Sequence, residues 1–241
     1  MYDSKLVPTG STHLKAMILA AGLGKRMLPL TTNTPKPLLQ VGGKPLLEHH
    51  ILNLKAAGFT ELVINAAYLA NQIIDFCGDG SRWGVQIRVS LEAEPLETAG
   101  GIAKALPLLG EGPFLVVNGD IWCPFPFARL IECSPLDAGA HLVLVPNPPH
   151  HSDGDFSLER GHVHSKDKAS LTFSGIAVYC PDFFLGLTAS KQPLKPLLDA
   201  AITGRKVTGE IYTGTWVDVG TPQRLQAIDE ACHAAQKSNG R

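Results

Sequence analysis

Residues 19–27, Leu-Ala-Ala-Gly-Leu-Gly-Lys-Arg-Met, combine two glycines with two adjacent cations, and Thr34-Pro-Lys-Pro37 adds a third cation between two prolines. Glycines allow backbone N–H groups to approach a ligand closely and to form a concave nest for an anion. Lys25 and Arg26 add charge, and a guanidinium fork can grip two phosphate oxygens at once. Pro35 and Pro37 stiffen the segment that presents Lys36. The stretch reads as a polyphosphate cradle, against the plainer alternative of a glycine-containing turn with solvated cations. Two familiar phosphate motifs are excluded. Met27 occupies the third glycine position of a G-x-G-x-x-G dinucleotide fingerprint, and Leu19 and Arg26 replace the first glycine and the final Ser/Thr of a P-loop.

Two carboxylates are candidates for a divalent cation. Asp120 ends Asn118-Gly-Asp120 at the tip of an apolar run, and Asp218 is the acid of Trp216-Val-Asp-Val-Gly220. An isolated carboxylate in an apolar strand end is costly unless paired or bound to a cation, and two such groups plus phosphate oxygens suit Mg²⁺. A third candidate is Glu94-Pro-Leu-Glu-Thr-Ala-Gly-Gly101. Gly100 and Gly101 would let a flat base approach the backbone, while Thr98 would cap the following helix. The histidines carry no catalytic role. His49 and His50 diverge on a helix, His162 and His164 read as a solvated strand pair, and His150-His151 as a loop pair that orders the acceptor side.

The elements that must position these residues follow from periodicity. Strands are expected at 16–19, 61–65, 85–89, 114–118, 140–145, 155–159, 171–179, 207–212 and 216–219. Helices are expected at 45–57, 68–77, 98–109, 195–203 and 222–235, the last capped by Thr221. The βαβα alternation of the first half predicts a Rossmann-like, mixed and mostly parallel α/β sheet flanked by helices, with ligands at the carboxyl ends of its strands. The second half is richer in β-structure and long loops, which suits an acceptor side.

With 241 residues and a net charge of −1, one domain over 15–241 is expected, and a nucleic-acid binder is disfavoured. Residues 1–14 lack periodicity and read as an extension outside the fold, disordered, left over from cloning, or translated from a mis-set start. Five scattered cysteines without C-x-x-C spacing favour reduced thiols in a cytoplasmic protein.

The string L-A-A-G-x-G-x-R-M-x-P-L-T followed by P-K-P resembles the signature of the sugar-1-phosphate nucleotidylyltransferases, which have the nucleotide-diphospho-sugar transferase fold. The resemblance implies that Ala21, Gly22, Gly24, Lys25 and Arg26 wrap the nucleotide triphosphate, with Glu94, Ala99 and Gly100 at the base. It implies catalytic roles for Arg26 on the departing pyrophosphate and for Lys36 on the reacting phosphates. It also implies Mg²⁺ on Asp120 and Asp218, with Lys36, Asn118 and Asp155 toward the sugar phosphate. The segment Glu97-Thr-Ala-Gly-Gly101 is similar to the E-T-G-G-G form of the bacterial N-acetylmuramate-1-phosphate uridylyltransferases of cell-wall recycling, with Ala99 a departure. The partners implied are UTP and N-acetylmuramate 1-phosphate. The alternatives are a guanylyltransferase for mannose- or heptose-1-phosphate and a non-catalytic nucleotide-sugar sensor.

Overall fold

The computed structural model describes residues 14–239 apart from 134, 136–138 and 168–169. The expectation for the N-terminal extension therefore lies outside the described residues except at Leu14, which packs against the core and belongs to the fold.

Among the described residues, thirteen strands and five α-helices run in the order β1 (Lys15–Leu19), β2 (Gln40–Val41), β3 (Lys44–Pro45), α1 (Leu46–Ala56), β4 (Glu61–Ala66), α2 (Ala70–Cys77), β5 (Gln86–Leu91), α3 (Glu97–Leu109), β6 (Phe114–Asn118), β7 (Ile121–Trp122), β8 (Ala140–Val145), β9 (Phe156–Glu159), β10 (His162–Ser165), β11 (Thr172–Tyr179), α4 (Lys195–Thr203), β12 (Val207–Ile211), β13 (Val217–Asp218) and α5 (Pro222–Asn239). The main sheet has the order β5-β4-β1-β6-β11-β8-β12-β10-β9 among the described residues. Its first four strands are mutually parallel. β11 then runs antiparallel to both β6 and β8, and the edge is the hairpin β9–β10.

Strand alternation explains why both faces are covered. Ala16 and Ile18 point into a core with Leu47, Ile51 and Leu54 of α1 and Ile73 of α2. Met17 points to the other face, where it meets Ala99, Ile102 and Ala105 of α3 and the cluster that includes Leu198 of α4. Each fully buried large apolar side chain here stabilises by about 1.5–3 kcal/mol. A third cluster joins Met27 and Val41 to Val219 and Ile228 of α5, which fastens the glycine loop to the far end of the chain. Thr221 Oγ1 accepts a 3.3 Å hydrogen bond from Arg224 N, as expected of a cap for α5.

The sequence expectation fails at the start of α3. The helix begins at Glu97, whose φ is +60°, and Leu96 rather than Thr98 occupies the N-cap position, without a side-chain cap. The free N–H groups of Ala99 and Gly100 instead donate to the carbonyl of Gln192 at 3.1 and 3.2 Å. A distant loop takes over the capping that a local hydroxyl was expected to supply. No helix is long and apolar enough to cross a membrane among the described residues.

Candidate active site

The site is built at the carboxyl ends of β1, β4, β5 and β6. Ala20 N, just past β1, donates to Asn65 Oδ1 of β4 at 2.7 Å. Asn65 Nδ2 donates to Glu92 Oε1 at 2.7 Å, and Leu96 N donates to Glu92 Oε2 at 2.9 Å. Both side chains are buried, and a buried carboxylate is tolerable because two N–H donors face it. The network ties the glycine loop to the loop before α3. Nothing in the spacing of Asn65 or Glu92 marks them, so sequence reasoning missed both.

Within the glycine loop, only Gly24 has a left-handed backbone, with φ +63°. A Cβ there would lie 2.9 Å from Thr31 Cγ2, and Thr31 Oγ1 donates to the Gly24 carbonyl at 2.9 Å. Gly22 is different: it is exposed, and a Cβ would meet nothing within 4 Å. The loop's return is held from α2's side, where the Tyr68 hydroxyl lies 2.9 Å from the Thr31 carbonyl. Lys25 and Arg26 are exposed in a 3₁₀ turn anchored by buried Met27, and their side chains face solvent.

Lys36 is buried, and its Nζ donates to Asp120 Oδ2 at 2.6 Å. Gly119 N donates to the Leu19 carbonyl at 2.9 Å, where a Cβ would lie only 2.5 Å from that oxygen, so glycine lets β6 dock its tip on β1. The ribbon β7–β13 carries the backbone of Asp218 alongside that of Asp120: Asp218 faces Ile121, and Val219 N donates to the Asp120 carbonyl at 2.8 Å. Asp218 Oδ2 lies 3.0 Å from Arg224 Nη2, and Oδ1 lies 2.7 Å from His150 Nε2 but without hydrogen-bond alignment. A Cβ at Gly220 would overlap Arg224 Nη2, so a side chain there would displace the guanidinium that meets Asp218.

Ala21, Gly22, Lys36, Asn65, Glu92 and Asp120 line a cleft of about 700 Å³, together with Pro95, Glu97, Thr98 and Asn118. A second cleft adjoins it through Glu97, Thr98 and Asn118 and continues over Asp155, Phe173 and Lys195. Asp155 accepts from Phe173 N at 2.8 Å and pairs with His151 Nε2 at 3.0 Å. The two loop histidines thus each meet a candidate site carboxylate, His151 on the expected acceptor side and His150 at Asp218. Asn118 packs against Gly175, where a Cβ would lie 2.5 Å from its Nδ2, beside a bulge in β11.

The expected base segment is rearranged. Glu94 is exposed and outside the cleft wall, while Ala99 and Gly100 are buried. A Cβ at Gly100 would overlap the Ser190 carbonyl, and one at Gly101 would lie 2.8 Å from both Asn65 Nδ2 and Glu92 Oε1. These glycines make room for protein atoms. Pro95, Glu97 and Thr98 form the wall in their place.

All five cysteines are free thiols, and burial pushes Cys77 and Cys123 up to about 12. His162 and His164 lie on β10, partly or fully exposed, as a surface pair should. Among the described residues no group of three or more His, Cys, Asp or Glu side chains converges as a metal cage.

Similarity to known proteins agrees with this arrangement. Residues 15–156 match the family described as Nucleotidyl transferase. The chain is 52% identical over 223 residues to the N-acetylmuramate alpha-1-phosphate uridylyltransferase of Neisseria meningitidis serogroup B, covering 88% of this chain and 96% of that protein. It is 34% identical over 229 residues to the protein of the same description from Caulobacter vibrioides, covering 89% and 95%. Among solved structures, a Bacillus anthracis protein assigned as a glucose-1-phosphate thymidylyltransferase superposes with a TM-score of 0.81 at 22% identity, covering 91% and 95%. The family match over residues 15–156, more than half of the chain, together with 52% identity to a relative covered over 96% of its length, makes this chain a member of the nucleotidyl transferase family.

Proposed function

We propose that this protein transfers UMP from UTP to N-acetylmuramate 1-phosphate, giving UDP-N-acetylmuramate and pyrophosphate. The base and acceptor rest on one observation, the 52% identity to the Neisseria enzyme across 88% of the chain. The geometry supports the reaction class. The glycine loop and the Lys36–Asp120 pair front one cleft, and a second cleft opens beside it through Asn118.

An oxygen of the sugar phosphate attacks the α-phosphorus of UTP. The new P–O bond replaces the α–β bridge, whose electron pair leaves on pyrophosphate. The attacking monoester is already anionic, so no protein base is required, and catalysis is positioning plus charge neutralisation. Ala20 and Leu96 are held in register by Asn65 and Glu92, which fixes the two loops on either side of the nucleotide. Arg26 is free to fold its fork onto the leaving phosphates. Lys36 has three N–H donors; one holds Asp120, and the others are available to phosphate oxygens.

Asp120 and Asp218 would hold a Mg²⁺ ion. One ribbon carries the backbone of Asp218 alongside that of Asp120, and Asp218 Oδ1 is a buried oxygen without a hydrogen bond. Two carboxylates suffice because Mg²⁺ ordinarily completes its shell with water and phosphate; when bound, it neutralises phosphate charge. Free thiols and soluble substrates support a cytoplasmic setting in the recycling of cell-wall sugars.

The test is pyrophosphate release with Mg²⁺ for UTP, GTP, CTP and dTTP against N-acetylmuramate-, glucose- and mannose-1-phosphate. Turnover confined to UTP with N-acetylmuramate 1-phosphate is expected. A GTP signal would overturn the base and sugar while keeping the reaction class, and silence with nucleotide still binding would leave a sensor.

A further inference from the structure

A third cleft, of about 700 Å³, lies at the sheet edge, walled by Glu159, Arg160, His162, His164, Ile202 and Arg205. It shares no residue with the clefts of the candidate active site. Its lining carries two guanidinium groups and two imidazoles against one carboxylate, and neither arginine makes an ion pair or side-chain hydrogen bond with a described residue.

Both arginines occupy backbone positions that favour glycine. Arg160 has φ +50° and forms, with Gly161 at +78°, the two-residue turn between β9 and β10. Such turns need positive φ at both positions and favour Asn-Gly, so a long cation at the first is an unfavourable choice. Arg205 has φ +57° just beyond α4, where its N–H bonds back to the Ile202 carbonyl at 2.9 Å. A helix that ends in a left-handed residue ordinarily places glycine there, and here Gly204 stands one position too early, at φ −78°. Two unrelated turns thus each accept left-handed strain and each aim an arginine into the same cleft. Strain retained in a shared cleft points to a ligand.

We propose that this cleft is a binding site for a diphosphate group, distinct from the catalytic cleft. Two planar forks match the paired oxygens of adjacent phosphates, and the imidazoles add donors on the same strand. The site adjoins the acceptor side through shared elements. α4 carries Lys195 and Leu198 at the acceptor cleft and Ile202 near the distal one, and β9 runs from Phe156 at the first to Glu159 at the second. A ligand at the edge braces the two elements that frame the acceptor. The proposal does not depend on which sugar or base the enzyme uses.

Calorimetric titration with pyrophosphate tests it, because the wild type should show two binding events, one of them catalytic. In the double variant Arg160→Gly, Arg205→Gly, one event should weaken on the order of a hundredfold, since each lost charged hydrogen-bond pair contributes at least tenfold. The variant's melting midpoint should not fall, because glycine relieves both left-handed positions. In parallel, the imidazole ¹⁵N signals of His162 and His164 should shift with pyrophosphate in the wild type and stay fixed in the variant. Titration with inorganic phosphate should give a weaker distal event, as expected for a site built for two phosphates. One binding event in both proteins, or unmoved imidazole signals in the wild type, would overturn the proposal.

Discussion

Gly101→Ala separates two uses of a glycine. If Gly101 makes room for a base, alanine should weaken nucleotide binding and leave stability unchanged or slightly improved, since alanine favours a helix by about 1 kcal/mol. The structure gives a different outcome. The added Cβ would lie 2.8 Å from Asn65 Nδ2 and from Glu92 Oε1, so both must give by about 0.6 Å to reach the ordinary contact of 3.4 Å. They are buried and bonded to each other at 2.7 Å, and to Ala20 N and Leu96 N on either side. Overpacking of this kind costs about 1–3 kcal/mol, and a weakened hydrogen bond to a charged group costs about 1.5–3 kcal/mol. After the helix gain, a net loss of about 1.5–5 kcal/mol is expected, a fall in melting midpoint of about 3–20 °C for a domain of this size. The UTP KM should rise as well, because the network sets both nucleotide-side loops. Gly22→Ala is the control: with open space at its Cβ, stability should hold within about 0.5 kcal/mol, and any loss should fall on turnover. Differential scanning calorimetry with steady-state kinetics reads both. A Gly101→Ala protein as stable as the wild type would refute the steric account.

The other expectations are shorter. Glu92→Gln leaves either Asn65 Nδ2 or Leu96 N facing an NH₂ group, so urea unfolding should show a loss of about 1–3 kcal/mol, and the UTP KM should rise with kcat little changed. Asp120→Asn keeps an oxygen for Lys36 and should retain the fold by circular dichroism, while turnover falls on the order of a thousandfold; wild-type rates would remove Asp120 from the reaction. His50 is buried, and burial lowers its pKa to about 4. The unfolded chain therefore takes up a proton below about 6.5 that the folded one refuses. Stability should be full above pH 6.5 and fall as pH drops toward 4, by up to about 3 kcal/mol. In His50→Leu this segment of the pH–stability curve should flatten, and an unchanged slope would exclude His50 as its source.

What the sequence disclosed depended on whether one residue type has only one sensible use. Apolar runs such as Phe114–Asn118 and Ala140–Val145 coincide with β6 and β8, because a continuous apolar segment of that length has few fates other than a buried strand. Gly24 was legible because a left-handed turn beside two cations suits a ligand loop. Gly100 was not, because the atom it spares, the Ser190 carbonyl, comes from a loop ninety positions away in the chain. Thr98 misled for the same reason: a hydroxyl before a helix is a good local cap, but the Gln192 carbonyl reached the free N–H groups first.

Polar residues were hardest to read where their partners are backbone atoms of other strands. Asn65 and Glu92 sit at the ends of adjacent strands, where asparagine and glutamate ordinarily mean a turn to solvent. Burial to 3% and 2% exposure reverses that meaning. Once buried, each must spend its hydrogen bonds on the groups that surround it, and those are the N–H of Ala20 and the N–H of Leu96. A parallel sheet cannot order its carboxyl-end loops through ladder bonds, since the ladder stops where the loops begin. A side-chain bridge at that edge supplies the missing order, and it does so at the two loops between which a nucleotide would lie. The placement of the glycine loop therefore rests on a buried amide–carboxylate pair that holds it through the N–H of Ala20.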